Sequence, residues 1–226
     1  MNYRKNFELN TTVSGSKLQA FRTRPTAYSL RTTAWFLIAL FAITTATAAT
    51  VRMVNLSEMV QFADRVFWGQ CLSSRVALDP SLGLMVETSV FKVHRGIKGI
   101  SSGDEVVVRQ AKLGASAATG QPSYRTGEEV LLFLHGDSRL GLTSPVGEIQ
   151  GRFAVTKTAD GKIGFINGLR NRNLSYGLSN EKVRQLGLTA GEHDAIGKDE
   201  PIPLSLLSPA VQKISRFHQK PGKSPQ

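Results

Sequence analysis

The chain has very little cysteine: Cys71 is the only one among its 226 residues, so an internal disulfide is excluded. Small secreted domains of animals are commonly stabilised by disulfides, whereas this chain must be stabilised by its hydrophobic core. Apolar residues make up 41% of the sequence, which is enough for such a core. Because Cys71 lies in an apolar, strand-like run, we expect its thiol to be buried and unreactive.

Patterns of metal ligands are absent as well. The four histidines are never three or four residues apart, and no second cysteine joins them, so no metal site is predicted (His94, His135, His193 and His218). Residues 114–120 are rich in glycine and alanine but lack the Lys-Ser/Thr pair of a phosphate-binding loop. The sequence therefore predicts no metal or other cofactor.

Catalytic patterns are equally scarce. Gly99-Ile100-Ser101-Ser102-Gly103 has the spelling of a nucleophile elbow, but a strand follows it where that motif requires a helix. The acidic pairs Asp104-Glu105 and Glu128-Glu129 lie beside predicted turns, where solvated carboxylates are common. We interpret all three as structural and assign no catalytic residue.

The net charge of +11 is unevenly distributed. Six basic residues and one acidic residue lie in the first 48 positions, which leaves 22 basic and 16 acidic residues, or +6, in the rest. These charges are scattered, whereas nucleic-acid-binding proteins concentrate them on one face. We therefore expect no nucleic-acid partner, and interpret the charge as favouring solubility, with binding to anionic surfaces as the alternative.

One long apolar run is present, at residues 34–43. Arg22, Arg24 and Arg31 precede it, and Ala46-Thr47-Ala48 follows with the small-x-small pattern of a cleavage site. These are the three parts of a secretory signal peptide, and the run is shorter than the ~20 residues of a membrane-spanning helix. The sequence predicts cleavage near Ala48 and export to the periplasm or medium of a bacterium, with an uncleaved anchor as the alternative.

The mature chain begins with a helix signal. Asn55 is a suitable N-cap, and Glu58, three residues later, completes a capping box. From residue 66 to residue 72 the sequence is rich in strand-forming residues, and Gly69 indicates a bulge or close packing there. A helix followed by a strand is therefore expected at the start of the domain.

Several short strands follow at regular intervals. A turn at residues 79–83 and a break at residues 95–99 enclose one of them, and Ala159-Asp160-Gly161 joins two others as a hairpin. Residues 129–134 are apolar on both faces, as in a central strand. The pattern predicts a mainly β fold, a small OB-like barrel, with strands at residues 84–93, 105–109, 129–134, 152–156 and 162–166.

The predicted domain organisation has five parts. A signal segment (1–48) precedes the barrel (49–168), which is followed by an irregular, loop-rich extension (169–202), a helix (203–219) and a disordered tail (220–226). Ser208 and Pro209 have the pattern of a helix start. The apolar stripe of Val211, Ile214 and Phe217 predicts that this helix packs on the outside of the barrel.

Four short motifs carry a family resemblance. In order along the chain they are A-D-x-V at residues 63–66, K-G at 98–99, G-E-x-V-L-L-F-L at 127–134 and G-x-F at 151–153. The chain resembles a group of uncharacterised exported bacterial proteins that share this pattern. More distantly, it resembles the N-terminal OB-like domain of tissue inhibitors of metalloproteinases.

The more distant resemblance implies inhibition of an exported metalloprotease. Those inhibitors bind the protease zinc through the amino group and carbonyl of an N-terminal cysteine that a disulfide holds in place. The mature start of this chain would be Ala49-Thr50-Val51, which has no cysteine. From the sequence, nothing is expected to hold this N-terminus in place.

The main functional hypothesis is an exported, non-enzymatic binding protein of the bacterial cell envelope. The expected partner is an envelope protein or an exported protease, and the expected contact surfaces are a mobile loop at residues 112–123 and the polar residues 168–177. The alternatives are a regulator of an exported metalloprotease and an enzyme of unknown type, which would need titratable side chains gathered in one pocket. An oligosaccharide-binding or nucleic-acid-binding barrel is a further reading of the fold.

Overall fold

A computed structural model describes residues 52–115, 120 and 123–219. The signal segment and the C-terminal tail lie outside these residues. The described part contains seven strands and four α-helices, with one turn of 3-10 helix at Glu148–Gln150: α1 (Leu56–Phe62), β1 (Arg65–Asp79), β2 (Leu84–Lys98), β3 (Glu105–Ala111), β4 (Glu129–Leu134), β5 (Arg152–Lys157), β6 (Ile163–Asn167), α2 (Asn180–Gln185), α3 (Ala190–Ile196), β7 (Ile202–Pro203) and α4 (Leu204–Gln219).

The strands form one antiparallel sheet in the order β3-β2-β1-β4-β5-β6-β7. The prediction of a mainly β fold is therefore confirmed. The strand pairing does not close into the expected barrel, because β6 forms a hairpin with β5 and occupies the edge of β5 that faces away from β4. As a result β3 and β7 are the two edges of the sheet.

Strand β1 bends in the middle of the sheet. It pairs with β2 along most of its length and with β4 only from Arg65 to Gln70, and its register shifts at three places, one of them at Gly69 as predicted. A Cβ on Gly69 would lie 2.5 Å from the carbonyl oxygen of Lys92, so the close approach of β2 requires glycine there. The predicted break at residues 95–99 is wrong, because β2 continues past the bulges of β1 and pairs Gly96 with Phe67.

Strand β4 separates two hydrophobic clusters, as its apolar character on both faces predicts. Leu131 and Phe133 face a cluster that includes the buried residues of α1 and α4. Val130, Leu132 and Leu134 point the opposite way into what we term the inner cluster, whose other buried members are Phe67, Cys71, Phe91, Val93, Val106, Val108 and Tyr124.

Cys71 is fully buried in the inner cluster, which confirms the prediction for this residue. Burial raises the pKa of its thiol, and the nearby carboxylate of Glu128 adds to that rise. The thiol therefore stays protonated near neutral pH, and Cys71 acts as a small apolar side chain in the core.

Helix α1 begins as the sequence predicts. Asn55 Oδ1 accepts the amide of Glu58 at 2.9 Å, and the Glu58 carboxylate accepts the amide of Asn55 at 3.2 Å, which completes the capping box. Leu56, Met59 and Val60 lie on the side of the helix that faces the sheet, and they are buried.

The C-terminal third is more regular than predicted. The expected irregular extension contains α2 and α3, whose N-caps Ser179 and Thr189 each accept a hydrogen bond from an amide three residues on. Helix α4 begins at Leu204, one residue after the start of the predicted helix at 203–219, so the start signal at Ser208 is wrong and Pro209 lies inside the helix. Of the predicted stripe, Val211 and Ile214 are fully buried and Phe217 is partly buried, which confirms that this helix docks on the rest of the fold.

Candidate functional site

A cleft of about 480 Å³ lies at the C-terminal end of β3. One side is formed by Gln110, Ala111 and Lys112, and the other by residues 142–145 of the β4–β5 connection. Tyr124 and Arg152 also line it, together with Ser123, Glu148 and Ile149. Its volume falls in the range of pockets that hold small ligands or single side chains of a partner.

The side of the cleft near Lys112 is held by a buried carboxylate. The side chain of Glu87 is 1% exposed, and its Oε2 lies 3.3 Å from Nζ of Lys112, which is 8% exposed. Glu87 Oε1 accepts the amides of Ser123 at 2.7 Å and Tyr124 at 3.1 Å and the hydroxyl of Ser74 at 3.0 Å. These bonds join strands β1 and β2 to the chain that enters β4.

The ionisation of Glu87 follows from these contacts. Burial by itself would raise the pKa of this carboxyl, but the hydrogen bonds from Ser123, Tyr124 and Ser74 outweigh it and lower the pKa. Glu87 is therefore an anion whose oxygen atoms already accept hydrogen bonds from the protein. Its contacts suit it to holding the wall of the cleft, and not to accepting a proton from a bound molecule.

A stacked pair lines another part of the cleft. The guanidinium of Arg152 lies 4.5 Å from the centre of the Tyr124 ring, and its Nη2 donates to Glu128 Oε1 at 2.7 Å. Tyr124 is 1% exposed, and burial raises the pKa of its hydroxyl well above the usual value. The positive charge of Arg152 is thus compensated within the protein.

The opposite wall is fixed to β3 by one main-chain bond. The amide of Thr143 donates to the carbonyl of Arg109 at 2.8 Å, and the Thr143 hydroxyl donates to the carbonyl of His135 at 2.6 Å. Pro145 forms an isolated bridge with Leu134. The β4–β5 connection is therefore joined to β3 by one main-chain hydrogen bond, between Thr143 and Arg109.

Gln110, one of the residues that line the cleft, carries an acceptor without a partner. Its Oε1 is buried and has no hydrogen-bond partner in the described part of the chain. Such an acceptor costs free energy unless a ligand or water satisfies it. The rim beside it includes the half-exposed side chain of Ile149, which is 54% exposed.

The two predicted contact surfaces have different outcomes. Lys112 and Ser123, the ends of the loop predicted at residues 112–123, both line the cleft, and Lys112 is buried. Residues 168–177 form turns, as expected of a loop, but Asn171 and Asn173 within them are fully buried.

The buried asparagines hold the chain around β6. Asn167 Nδ2 donates to Asn173 Oδ1 at 2.9 Å and to the carbonyl of Gln150 at 3.0 Å. Asn171 Nδ2 donates to the carbonyls of Phe165 at 3.0 Å and Glu200 at 2.8 Å. The asparagine-rich composition of this segment therefore reflects internal hydrogen bonds at these positions.

The first described residues are also held in place. Gln150 accepts the amide of Val54 at 2.8 Å and donates to the carbonyl of Arg52 at 2.9 Å. Asn173 Nδ2 donates to the carbonyl of Val54 at 2.6 Å. The expectation that nothing holds the N-terminus concerns residues 49–51, which lie outside the described part of the chain.

The four sequence motifs meet in two places. Lys98 and Gly99 lie against the end of α1, where a Cβ on Gly99 would be 2.1 Å from the carbonyl oxygen of Asp64. Glu128 of the third motif binds Arg152 of the fourth. Each of these contacts therefore has a structural explanation.

The histidines lie apart from the cleft lining. His94 packs 5.1 Å from the Trp68 ring, and the indole of Trp68 donates to Glu129 at 3.1 Å. His218 Nε2 lies 3.2 Å from the Ser57 hydroxyl. Within residues 52–115, 120 and 123–219, no three His, Cys, Asp or Glu side chains form a group that could hold a metal ion.

The serines of the elbow-like run have structural contacts. Ser101 donates its amide to Asp104 at 3.0 Å, and the Ser102 hydroxyl accepts the amide of Gly96 at 3.0 Å. The run is thus the turn between β2 and β3, as the sequence indicates.

Sequence reasoning missed the central residue of the cleft wall. In β2, Glu87 and Ser89 lie four and two residues before Phe91. Side chains two residues apart point to the same face of a strand, so Glu87 and Ser89 point to the side of the inner cluster, like Phe91. The carboxylate at an inward position is the signal that the sequence offers for Glu87, whereas its partner Lys112, 25 residues later, is identified only by the strand register.

Comparison of the chain with protein-family models, curated proteins and solved structures finds no match. Among the described helices, none combines the length and the apolar character needed to cross a membrane.

Proposed function

We propose that the chain is an exported, non-enzymatic binding protein of the bacterial cell envelope, and that it receives part of its partner in the cleft at the end of β3. The observation that carries this proposal is the cleft itself, about 480 Å³ in volume and lined by polar and apolar side chains of β3 and the β4–β5 connection.

The walls of the cleft support this role because they are held before any partner arrives. Glu87 fixes Ser123 and Tyr124, and Thr143 fixes the opposite wall to Arg109. A binding site that is already ordered loses little conformational entropy on binding.

We also propose that the domain is an OB-like barrel that is open on one side. Strand β1 lies between β2 and β4, bends at its bulges, and with β2, β3 and β4 surrounds the inner cluster on one side of the sheet. The β4–β5 connection approaches the outer edge of β3 through Thr143. A barrel that is open between these two segments would have this arrangement.

Export rests on the signal pattern at residues 22–48. We expect the mature chain to begin at Ala49, and mass spectrometry of the exported protein measures this directly. A membrane-bound product that retains the first 48 residues would contradict the cleavage and support the uncleaved anchor.

Partner capture tests the cleft. Ala111 is exposed and lines the cleft, so Ala111→Trp should block it, whereas Ile163→Trp adds the same bulk to an exposed position on β6. The full-length protein and both variants are immobilised and exposed to a solubilised envelope fraction. We expect one envelope protein on the unmodified chain and on Ile163→Trp, and its loss on Ala111→Trp. Equal retention by all three would reject the cleft as the binding site.

A second candidate is a regulator of an exported metalloprotease. The observation that favours it is the fixed course of residues 52–54, whose main chain is bound by Gln150 and Asn173. These residues follow directly after the predicted mature N-terminus, which is the part of tissue inhibitors of metalloproteinases that binds the protease zinc. Loss of protease activity on mixing, abolished when one extra residue precedes Ala49, would support this candidate over the first.

A further inference from the structure

The outer edge of β3 presents main-chain groups to the outside of the sheet. Two main-chain hydrogen bonds show which residues of β3 have their main-chain groups directed towards β2. The amide of Val93 donates to the carbonyl of Asp104 at 2.9 Å, and the amide of Lys112 donates to the carbonyl of Met85 at 2.8 Å. Antiparallel strands bond through every second residue. The main-chain groups of Glu105, Val107, Arg109 and Ala111 therefore face away from β2.

One of these outward-facing main-chain groups already has a main-chain hydrogen-bond partner. The carbonyl of Arg109 accepts the amide of Thr143. No hydrogen bond to the main chain of Glu105 or Val107 occurs on this edge in the described part of the chain. The Val107 side chain is 51% exposed. The edge from Glu105 to Val107 is therefore open to a further strand.

This open edge continues directly into the cleft. Gln110 and Ala111, which follow it in β3, line the cleft. The exposed apolar side chains along this path include Val107, Ala111 and, at the rim, Ile149. A ligand that follows the edge would thus meet main-chain groups first and a partly apolar pocket next.

The charges beside the path disfavour an anionic ligand. Lys112 is paired with Glu87, and Arg152 is paired with Glu128. The basic side chains that line the cleft are therefore compensated, and a phosphate or sulfate would find no uncompensated positive charge among them. Glu148 also lines the cleft and makes no ion pair in the described part of the chain, so a segment without acidic side chains suits the site better.

We propose that an extended polypeptide segment of a partner protein binds as an added strand along Glu105–Val107 of β3 and places a non-acidic side chain in the cleft near Gln110. This proposal rests on the proposed binding function and names its ligand class. Outward groups two residues apart on β3 are spaced by about 6.6 Å, which is the repeat of an extended peptide. Main-chain bonds would supply affinity, and the cleft would supply specificity.

A peptide selection tests the proposal with a defined probe. The full-length chain is immobilised and used to select from a library of linear dodecapeptides. Selected peptides should bind Val107→Pro, which lacks the outward amide, about tenfold more weakly than the unmodified chain. They should bind Val107→Ala, which keeps the amide, within about threefold. Proline is tolerated on edge strands where its nitrogen faces outward, and circular dichroism checks the fold of each variant.

A second measurement does not depend on a variant. Amide hydrogen exchange at Glu105 and Val107 should slow by at least about tenfold when a selected peptide is added to the unmodified chain. Unchanged exchange at both amides, or equal binding to the proline and alanine variants, would overturn the added strand. Failure to select any peptide would also overturn it.

The two proposals can fail separately. If Ala111→Trp loses its envelope partner while Val107→Pro keeps it, the cleft binds the partner and the added strand is wrong. If neither substitution affects the partner, both proposals are wrong. If sedimentation shows a dimer of the unmodified chain that Val107→Pro converts to monomer, the occupant is a second copy of the chain and the partner segment proposed here is overturned.

Discussion

Nζ of Lys98 lies 2.7 Å from the carbonyl oxygen of Val60, and it also donates to the carbonyl of Ala63. The last residue of β2 therefore caps the C-terminal turn of α1, where carbonyl groups lack partners within the helix. A positive charge at this end also interacts favourably with the helix dipole. One side chain thus fixes the position of the first helix against the sheet.

Lys98→Met should destabilise the fold. It keeps most of the apolar stem but leaves two carbonyls without a donor, so we expect a loss of about 1.5–3 kcal/mol in the free energy of unfolding. Urea denaturation followed by circular dichroism measures it. The matched control is Lys92→Met, because Lys92 is 45% exposed and its pair with Glu105 spans 3.8 Å. That control should change stability by less than about 0.5 kcal/mol. Similar losses in both variants would contradict the capping role.

Gly99 next to Lys98 gives an independent test of the same junction. Gly99 has φ of +64° and no room for a Cβ, which would be 2.1 Å from the carbonyl oxygen of Asp64. Gly83 has φ of +65° and no atom within 4 Å of that position. Gly83→Ala should cost about 1–2 kcal/mol for the left-handed backbone, whereas Gly99→Ala should cost about 1–3 kcal/mol more because of the steric overlap. Equal melting temperatures of the two variants would show that the junction can relax.

Much of the fold could be predicted from local signals. The capping box at Asn55, the bulge at Gly69 and the central strand at Glu129–Leu134 each depend on a few neighbouring residues, and all three predictions are confirmed. The break predicted at residues 95–99 failed because pairing with β1 across the bulges outweighs the turn preference of Gly96. Helix α4 likewise begins before Pro209, where burial of its apolar stripe outweighs the local signal.

The cleft could not be predicted in the same way. Glu87 and Lys112 are 25 residues apart, and Glu128 and Arg152 are 24 residues apart. Only strand register brings these partners together, and register depends on bulges whose positions a single sequence indicates weakly. Ser123 and Tyr124, which bind Glu87, lie farther still along the chain.

Glu87→Gln should weaken the wall of the cleft. The substitution leaves the buried ammonium group of Lys112 without a counter-charge, so we expect a loss of about 3–5 kcal/mol in the free energy of unfolding. Glu105→Gln, which alters the exposed pair with Lys92, should change it by less than about 0.5 kcal/mol. Chemical denaturation of both variants at pH 7 measures this difference, and a loss for Glu87→Gln no larger than that of the control would contradict it.

Acid should remove the contribution of Glu87 from the unmodified chain. Its folded-state pKa is lowered from the ordinary value of 4.5, so its stabilisation is present above pH 4.5 and is lost as the pH falls through the folded-state pKa. In Glu87→Gln this group cannot titrate. The difference in stability between the unmodified chain and the variant should therefore shrink below pH 4.5, and a difference that stayed constant between pH 6 and pH 3 would contradict the lowered pKa.

His218 makes the docking of α4 sensitive to mild acid. Burial lowers the pKa of its imidazole, and the positive charges of Lys182 and Lys98 lower it further. The unfolded chain therefore takes up the proton first, and stability falls as the pH drops through the ordinary value of 6.5. His218→Gln removes the titration and keeps a side chain that can bind the Ser57 hydroxyl. We expect the stability of the unmodified chain to fall more steeply than that of the variant between pH 8 and pH 5.5. At pH 8, where His218 is neutral in both states, the two proteins differ only by the lost ring contacts. Parallel curves over this interval would show that protonation of His218 does not oppose folding.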